Sequence, residues 1–450
     1  MMNLITGLSG IGYHPGSWRH PSSWTRPLMN LEYLIEVAHT AERGKLDMLF
    51  LADGNSVRMS APHVLAAGGL LSRPAIHEPV TLLTAIAQHT KNIGLLATAT
   101  TTYEEPFTLA RKFASLDHLS NGRASWNVVT TSNPGDAYNF SRDSHMARVD
   151  RYERAREFVQ VVKGLWDSWA DDALTQDRET GQILDPAKIH VLNHKGKHLS
   201  VKGPLNCARP PQGYPVLFMA GQSEPGRDLS ASMADCQFAV TPTKEEAMAY
   251  YADLKARLPK YGRRPEDLRV MPGATIYVGR TSEEADEFFE ELQSRIPPEL
   301  GVDYLSGLMS MDLTQLPIDG PVPEPQEIVG GSSRRYVIYD MAKRENLTIR
   351  QTYERVIPTV GHVLMKGNGK QVAEQMIDWY RSKACDGFNV HIPHQPSGLT
   401  NFVDFVIPEL QHAGAFRKEY EGRNLRERMG LPVPSNPYFT EAAEPMPQSA

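Results

Sequence analysis

The 450-residue chain is poor in cysteine, with Cys207, Cys236 and Cys385 far apart and in no CxxC pair. That excludes a disulfide scaffold and a zinc ribbon, and predicts three reduced thiols. It has no apolar run of roughly 18 residues, so no membrane span is expected. Met1–Gly12 has no basic region ahead of an apolar run and does not read as a signal peptide, which predicts a cytoplasmic protein. Cationic excess is missing too: 47 Lys and Arg stand against 53 Asp and Glu, a net charge of -6. Nucleic acid is therefore excluded as a main partner, since phosphate backbones need a concentrated positive field. No GxSxG elbow supplies a nucleophile, and no GxGxxG follows the first strand. His190, His194 and His198 recur every four residues. Asn193, Gly196 and Gly203 put them on a loop or hairpin around His198–Val201, so no metal is expected.

What the chain has is alternation. Short apolar runs occur at Asn3–Leu8, Met48–Asp53, Ile93–Ala99, Ala124–Thr130, Pro215–Gly221, Phe238–Thr241, Val270–Val278 and Phe388–Ile392. Runs this short and continuous suit parallel strands covered on both faces. Helical spacing appears in Leu31–Arg43, Glu78–His89, Pro106–Leu119, Arg151–Trp166, Glu245–Leu258 and Glu283–Arg295. Asp150 is a candidate cap for the fourth of these, and Thr281 or Ser282 for the sixth. Eight such units predict an α/β fold, a (β/α)8 barrel, with a doubly wound sheet as the alternative. One domain over residues 1–431 is expected. Insertions at about 171–213 and 297–345 would fall at the βα loops, and 432–450 would form an irregular tail.

A barrel's chemistry sits at the C-terminal ends of its strands. Here those ends carry Asp53, Thr98-Ala99-Thr100, Asn127 through Ser132, Gly221-Gln222-Ser223-Glu224 and His391 to His394, with Tyr13-His14 after the first strand. Hydroxyls and amides dominate. Such a lining orients a polar cofactor, which then does the hard chemistry. Ser223 opens a helix and is a candidate phosphate contact. Arg148, Arg151 and Tyr152 begin another helix and are candidates for the same phosphate. Asp53 and Asn127 end apolar strands and are candidate site residues. His391 and His394 are read as pocket lining. The segment 297–345, with Gly330-Gly331-Ser332-Ser333, is a candidate lid, and Arg334 and Arg335 are candidates to meet an anionic substrate.

These pieces, taken in order, carry a resemblance. They are Gly16 to Pro21, Leu51-Ala52-Asp53, Thr101 to Phe107, Leu116 to Arg123, Trp126 to Thr130, Arg151 to Ala155, Leu165 to Trp169, Ala220 to Arg227 and Asp386 to Asn389. The chain resembles the luciferase-like flavin monooxygenases. The matching branch is that of the nitrilotriacetate, EDTA, dibenzothiophene-sulfone and long-chain alkane enzymes.

The resemblance implies reduced FMN as cosubstrate, delivered by a separate NAD(P)H:flavin oxidoreductase. It implies O2 activation as a flavin C4a-hydroperoxide and oxygen transfer to a small organic substrate. It implies a homodimer or homotetramer. Asp53, Ala99, Asn127, Tyr152 and Ser223 match the family's flavin contacts. Asp53 and Asn127 fall at the ring end, Tyr152 and Ser223 at the phosphate. His14 and Asn127 are the positions placed nearest the chemistry. Arg148 stands where the family often has histidine, while His145 matches an earlier histidine. Arginine keeps a permanent charge and a planar fork, so a phosphate contact survives the exchange. A deazaflavin (F420)-dependent oxidoreductase on the same barrel and a non-catalytic flavin-binding protein are the alternatives.

Overall fold

The computed structural model describes residues 1–57, 76–326, 334–359 and 361–439. Gly330-Gly331-Ser332-Ser333 and the last residues of the tail lie outside them. All eight expected strands form: β1 (Asn3–Gly7), β2 (Met48–Leu51), β3 (Gly94–Thr100), β4 (Ala124–Val129), β5 (Val216–Met219), β6 (Cys236–Ala239), β7 (Arg269–Gly279) and β8 (Gly387–His391). Each pairs in parallel with the next, β8 returns to β1, and the ring closes as a (β/α)8 barrel.

The helices keyed to the site are α1 (Leu31–Arg43), α2 (Pro79–Ala87), α3 (Pro106–Leu119), α4 (Arg148–Trp166), α5 (Glu224–Met233), α6 (Lys244–Arg257) and α7 (Ser282–Gln293). Their apolar faces join the outer faces of the strands in one core. Trp126, Phe113, Phe158 and Trp166 meet there, fully buried. Deleting a side chain such as Trp126 would cost roughly 3–5 kcal/mol.

A second core fills the barrel lumen with Ile5, Met48, Leu96, Val216, Phe218, Cys236 and Met271. Leu425, Met429 and Leu431 cap it from the C-terminal segment. Buried Arg426 fixes that segment, forking onto Asp235 at 2.6 and 3.0 Å just ahead of β6. The plug thus closes the N-terminal end of the barrel and leaves the other end as the mouth.

Several expectations are corrected. α4 starts one turn early, so Asp150 lies in its first turn rather than capping it. A carboxylate there still favours the positive end of the helix. Of the two candidate caps for α7, Thr281 fills the role, as expected, accepting from the Glu284 amide. β6 begins at Cys236, and polar Gln237 is carried inside the fold by bonds from its side-chain nitrogen. Its amide donates to Phe238 O at 2.9 Å and to the Tyr250 hydroxyl at 3.0 Å.

A further strand, Val363–Asn368, pairs with the outer half of β7 and escaped the sequence reading. Its alternating burial and its Lys366 disguise the apolar run. The hairpin appears as His194–Lys195 against Ser200–Val201. The 297–345 segment is more helical than its proline and glycine content implied. It holds α8 (Pro298–Met309) and α9 (Arg334–Glu345), followed by α10 (Ile349–Val356), around their own apolar cluster. Residues 432–439 are irregular but docked: Asn436 donates to Trp169 O at 2.8 Å, and Tyr438 stacks on His190 at 3.7 Å.

Candidate active site

At the barrel mouth a cavity of about 420 Å³ opens between the ends of β2, β3, β4 and β5. Asp53, Ala99 and Tyr152 line it directly, with Thr98, Thr100, Thr130, Thr131, Gly221 and Ser230. Asn127 stands behind Thr98 and donates Nδ2 to its hydroxyl at 2.9 Å. Its Oδ1 is buried without a hydrogen-bond partner among the described residues, as is the hydroxyl of Ser230. Orphaned polar atoms at a cavity are unmade bonds that a ligand can complete.

Ser223 sits at the N-cap of α5, yet its side chain makes no capping bond. Its Oγ instead lies 3.5 Å from the Tyr152 hydroxyl. Gly221 and Gly226 make this close turn possible. A Cβ on Gly221 would come 2.9 Å from Gly226 Cα and 3.2 Å from Tyr152 Oη. The segment therefore brings a helix N-terminus, a hydroxyl not spent on capping and a phenol to one place. Arg151, also expected here, turns elsewhere: buried, it donates to the carbonyls of Thr130 and Thr131. Arg148 is exposed, one turn before Tyr152.

Thr131 has φ +49°, a left-handed conformation that costs a β-branched residue free energy. Arg151 and the Thr100 hydroxyl, 2.7 Å from the Thr131 hydroxyl, hold it there. Sequence reasoning missed this clamp, because an arginine at a helix start reads as a surface or phosphate group.

Four carboxylates border the cavity, and three are already engaged. Glu78 accepts from the Val80 and Thr81 amides at the start of α2. Glu104 pairs with Lys112 at 3.4 Å. Asp136 accepts from Ser56 and from Asn133, the latter at 2.8 Å. Asp53 is left facing the cavity. Burial pushes its carboxyl up to about 6, helped by Glu78 and Asp136 and opposed by the Gly54 amide. A carboxyl poised there exchanges protons near neutral pH.

A smaller cavity of about 70 Å³ lies beside it, lined by Tyr13, Phe50, Ala52, Asn389, His391 and Gln395 among others. Tyr13 stacks on His391 at 4.0 Å, and His362 meets the same ring edge-on at 4.5 Å. His391 is thus pocket lining, as expected, and so is Asn389, whose Oδ1 is buried without a hydrogen-bond partner among the described residues.

His14 borders neither cavity. Its Nδ1 accepts from the Gly16 amide at 3.1 Å, so Nε2 carries the proton toward Gln293 Oε1 at 3.0 Å. Burial lowers its pKa to about 4. Among the described residues no group of His, Cys, Asp and Glu has the makings of a metal site. His194 pairs with Glu157 and His198 with Glu153. No described helix is long and apolar enough to cross a membrane.

A closed barrel with a hydroxyl- and amide-rich mouth is suited to orienting a polar cofactor. Comparison with known proteins narrows the class. The sequence profile described as luciferase-like monooxygenase matches residues 10–384. The chain is 47% identical over 435 residues to nitrilotriacetate monooxygenase component A of Aminobacter aminovorans, covering 94% of this chain and 95% of that one. It is 48% identical over 435 residues to N-acetyl-S-(2-succino)cysteine monooxygenase of Bacillus subtilis, covering 96% and 97%. The crystal structure of DmoA from Hyphomicrobium sulfonivorans superposes with a TM-score of 0.87 at 30% identity, covering 97% and 94%. The chain belongs to the luciferase-like monooxygenase family. It is the oxygenase of a two-component flavin-dependent system, in which a separate reductase supplies the flavin.

Proposed function

We propose that this oxygenase uses reduced FMN from an NAD(P)H:flavin oxidoreductase to place one oxygen atom of O2 on a polycarboxylate built around a nitrogen or sulfur atom. The observation that carries the substrate class is the pair of relatives at 47% and 48% identity. Nitrilotriacetate and N-acetyl-S-(2-succino)cysteine share this chemistry: each has several carboxylates around a tertiary amine or a thioether.

The residues at the mouth fit the flavin. The α5 N-terminus, Ser223 and Tyr152 are suited to its phosphate. Arg148 is one turn from Tyr152 on the same helix face and long enough to fold onto that phosphate. Asp53, Ala99 and Asn127 are suited to the ring end, where the orphaned Asn127 oxygen accepts a ring N–H. The flavin, when bound, supplies O2 activation. The protein's part is to orient it, hold a proton at Asp53 and keep water out. The 297–345 segment serves as the cover. His14 acts through Gln293, fixing the loop after β1 against α7. The protein works in the cytoplasm as a homodimer or homotetramer.

The test is reductase-coupled turnover of nitrilotriacetate and N-acetyl-S-(2-succino)cysteine. Product formed in step with O2 uptake supports the reading. Hydride transfer from a deazaflavin without O2 uptake, or flavin binding without any turnover, contradicts it.

A further inference from the structure

Six arginines are buried among the described residues: Arg123, Arg151, Arg209, Arg335, Arg417 and Arg426. Five are accounted for. Arg209, Arg417 and Arg426 pair with Asp167, Asp47 and Asp235. Arg123 donates to the carbonyls of Ala87, Thr90, Ile93 and Ser120, and Arg151 to those of Thr130 and Thr131.

Arg335 is the exception. It is 3% exposed, and its Nε and Nη1 have no hydrogen-bond partner among the described residues. Its one described bond is from Nη2 to the Tyr336 hydroxyl at 3.1 Å, with the ring 4.8 Å from the guanidinium. On α9 it falls on the same stripe as Ile338 and Ala342, which pack against α8 and α10. Helical spacing therefore places a permanent cation where an apolar residue would normally sit. A buried guanidinium without an anion is costly, and a carboxylate meeting its fork removes that cost.

The helices around Arg335 are tied to the loop after β1, whose Tyr13 lines the smaller cavity. Gln293, at the end of α7, bonds His14 at 3.0 Å and donates to Glu354 O on α10 at 2.8 Å. Beyond α10, His362 meets His391 at the smaller cavity.

We propose that Arg335, with the Tyr336 hydroxyl beside it, is the anchor for a carboxylate of the substrate. This rests on the polycarboxylate reading above. The anchor lies on the 297–345 insertion, outside the lining of the larger cavity proposed for the flavin.

The experiment measures binding to the full-length protein by calorimetry and thermal shift, with Arg335→Gln and Arg335→Lys beside the wild type. The probes are nitrilotriacetate, its uncharged trimethyl ester and tricarballylate, a tricarboxylate without an oxidisable heteroatom. Both acids should bind the wild type and raise its melting temperature. Arg335→Gln should weaken them by about tenfold or more, the range for hydrogen bonds to charged groups. Arg335→Lys should fall between, keeping the charge but losing the fork. Reduced FMN affinity should be unchanged in both, and the loss should appear in KM rather than kcat. Acid binding within twofold of wild type in Arg335→Gln overturns the anchor alone. A wild type that binds no acid, or binds the ester equally well, overturns the substrate class and the anchor together. If the glutamine variant does not fold, the lysine variant decides: undiminished acid affinity overturns the anchor.

Discussion

The Tyr152 hydroxyl on α4 and the Ser223 hydroxyl at the start of α5 lie 3.5 Å apart. Neither is spent on its own helix. In the proposed flavin site these two hydroxyls serve the phosphate rather than the ring. Ser223→Ala or Tyr152→Phe should therefore weaken FMN binding by roughly 1–2 kcal/mol each. Riboflavin, which lacks the phosphate, should bind the wild type and the variants alike. Anaerobic titrations with both flavins check this, and an equal loss for riboflavin would move the phosphate elsewhere.

Arg151 is a positioning residue in this account. It fixes the carbonyl of Thr131, whose φ of +49° is unfavourable on its own. Arg151→Met should lower stability by roughly 1–3 kcal/mol, the cost of leaving buried carbonyls unpaired. It should also weaken flavin binding, because Thr130 and Thr131 are cavity walls. Chemical denaturation and flavin titration measure the two effects separately. A variant with normal stability and normal affinity would show that the clamp is idle.

Asp53 and His14 bend the pH dependence of stability in opposite directions. Asp53 titrates near 6 in the folded chain against 3.8 for the free group. Between those values the folded state holds a proton that the unfolded state has released. Its contribution to stability is therefore present at low pH and lost as pH rises through about 6. His14, lowered from 6.5 to about 4, stays neutral in the fold while the unfolded chain protonates. Its contribution is full above pH 6.5 and lost as pH falls toward 4. Melting temperatures from pH 4 to 8 should accordingly gain at neutral pH in Asp53→Asn. The acid-side slope should be shallower in His14→Gln. Parallel curves for wild type and variants would reject both assignments.

Turnover should carry the Asp53 titration as well. A wild-type rate profile with an inflection near pH 6, absent in Asp53→Asn, is the expected outcome. Retention of the inflection would place that proton on another group.

The barrel was legible because each strand is a short apolar run between helices with clear spacing. Strand ends then pointed to Asp53, Ala99 and Asn127. What stayed hidden was polar structure inside the fold. Gln237 blurred the start of β6, although its side-chain nitrogen finds partners in its own neighbourhood. Arg151 and Tyr152 are adjacent in sequence, so one reading served both, yet helical geometry sends them to different partners. His14 follows β1 as a site residue would, but the Gly16 amide and Gln293 occupy its two nitrogens. Lysine and alternating exposure hid the strand Val363–Asn368, and proline and glycine masked the helical character of 297–345. These are matters of which partner a side chain finds, which no periodicity encodes.

The most direct test of the whole account is oxygen-isotope labelling in the reductase-coupled reaction. With NADH, FMN, a flavin reductase and labelled O2, nitrilotriacetate or N-acetyl-S-(2-succino)cysteine should be consumed in step with O2 uptake corrected for free peroxide. One labelled atom should enter the products per turnover. O2 uptake that ends wholly as peroxide, with both acids untouched, would contradict it.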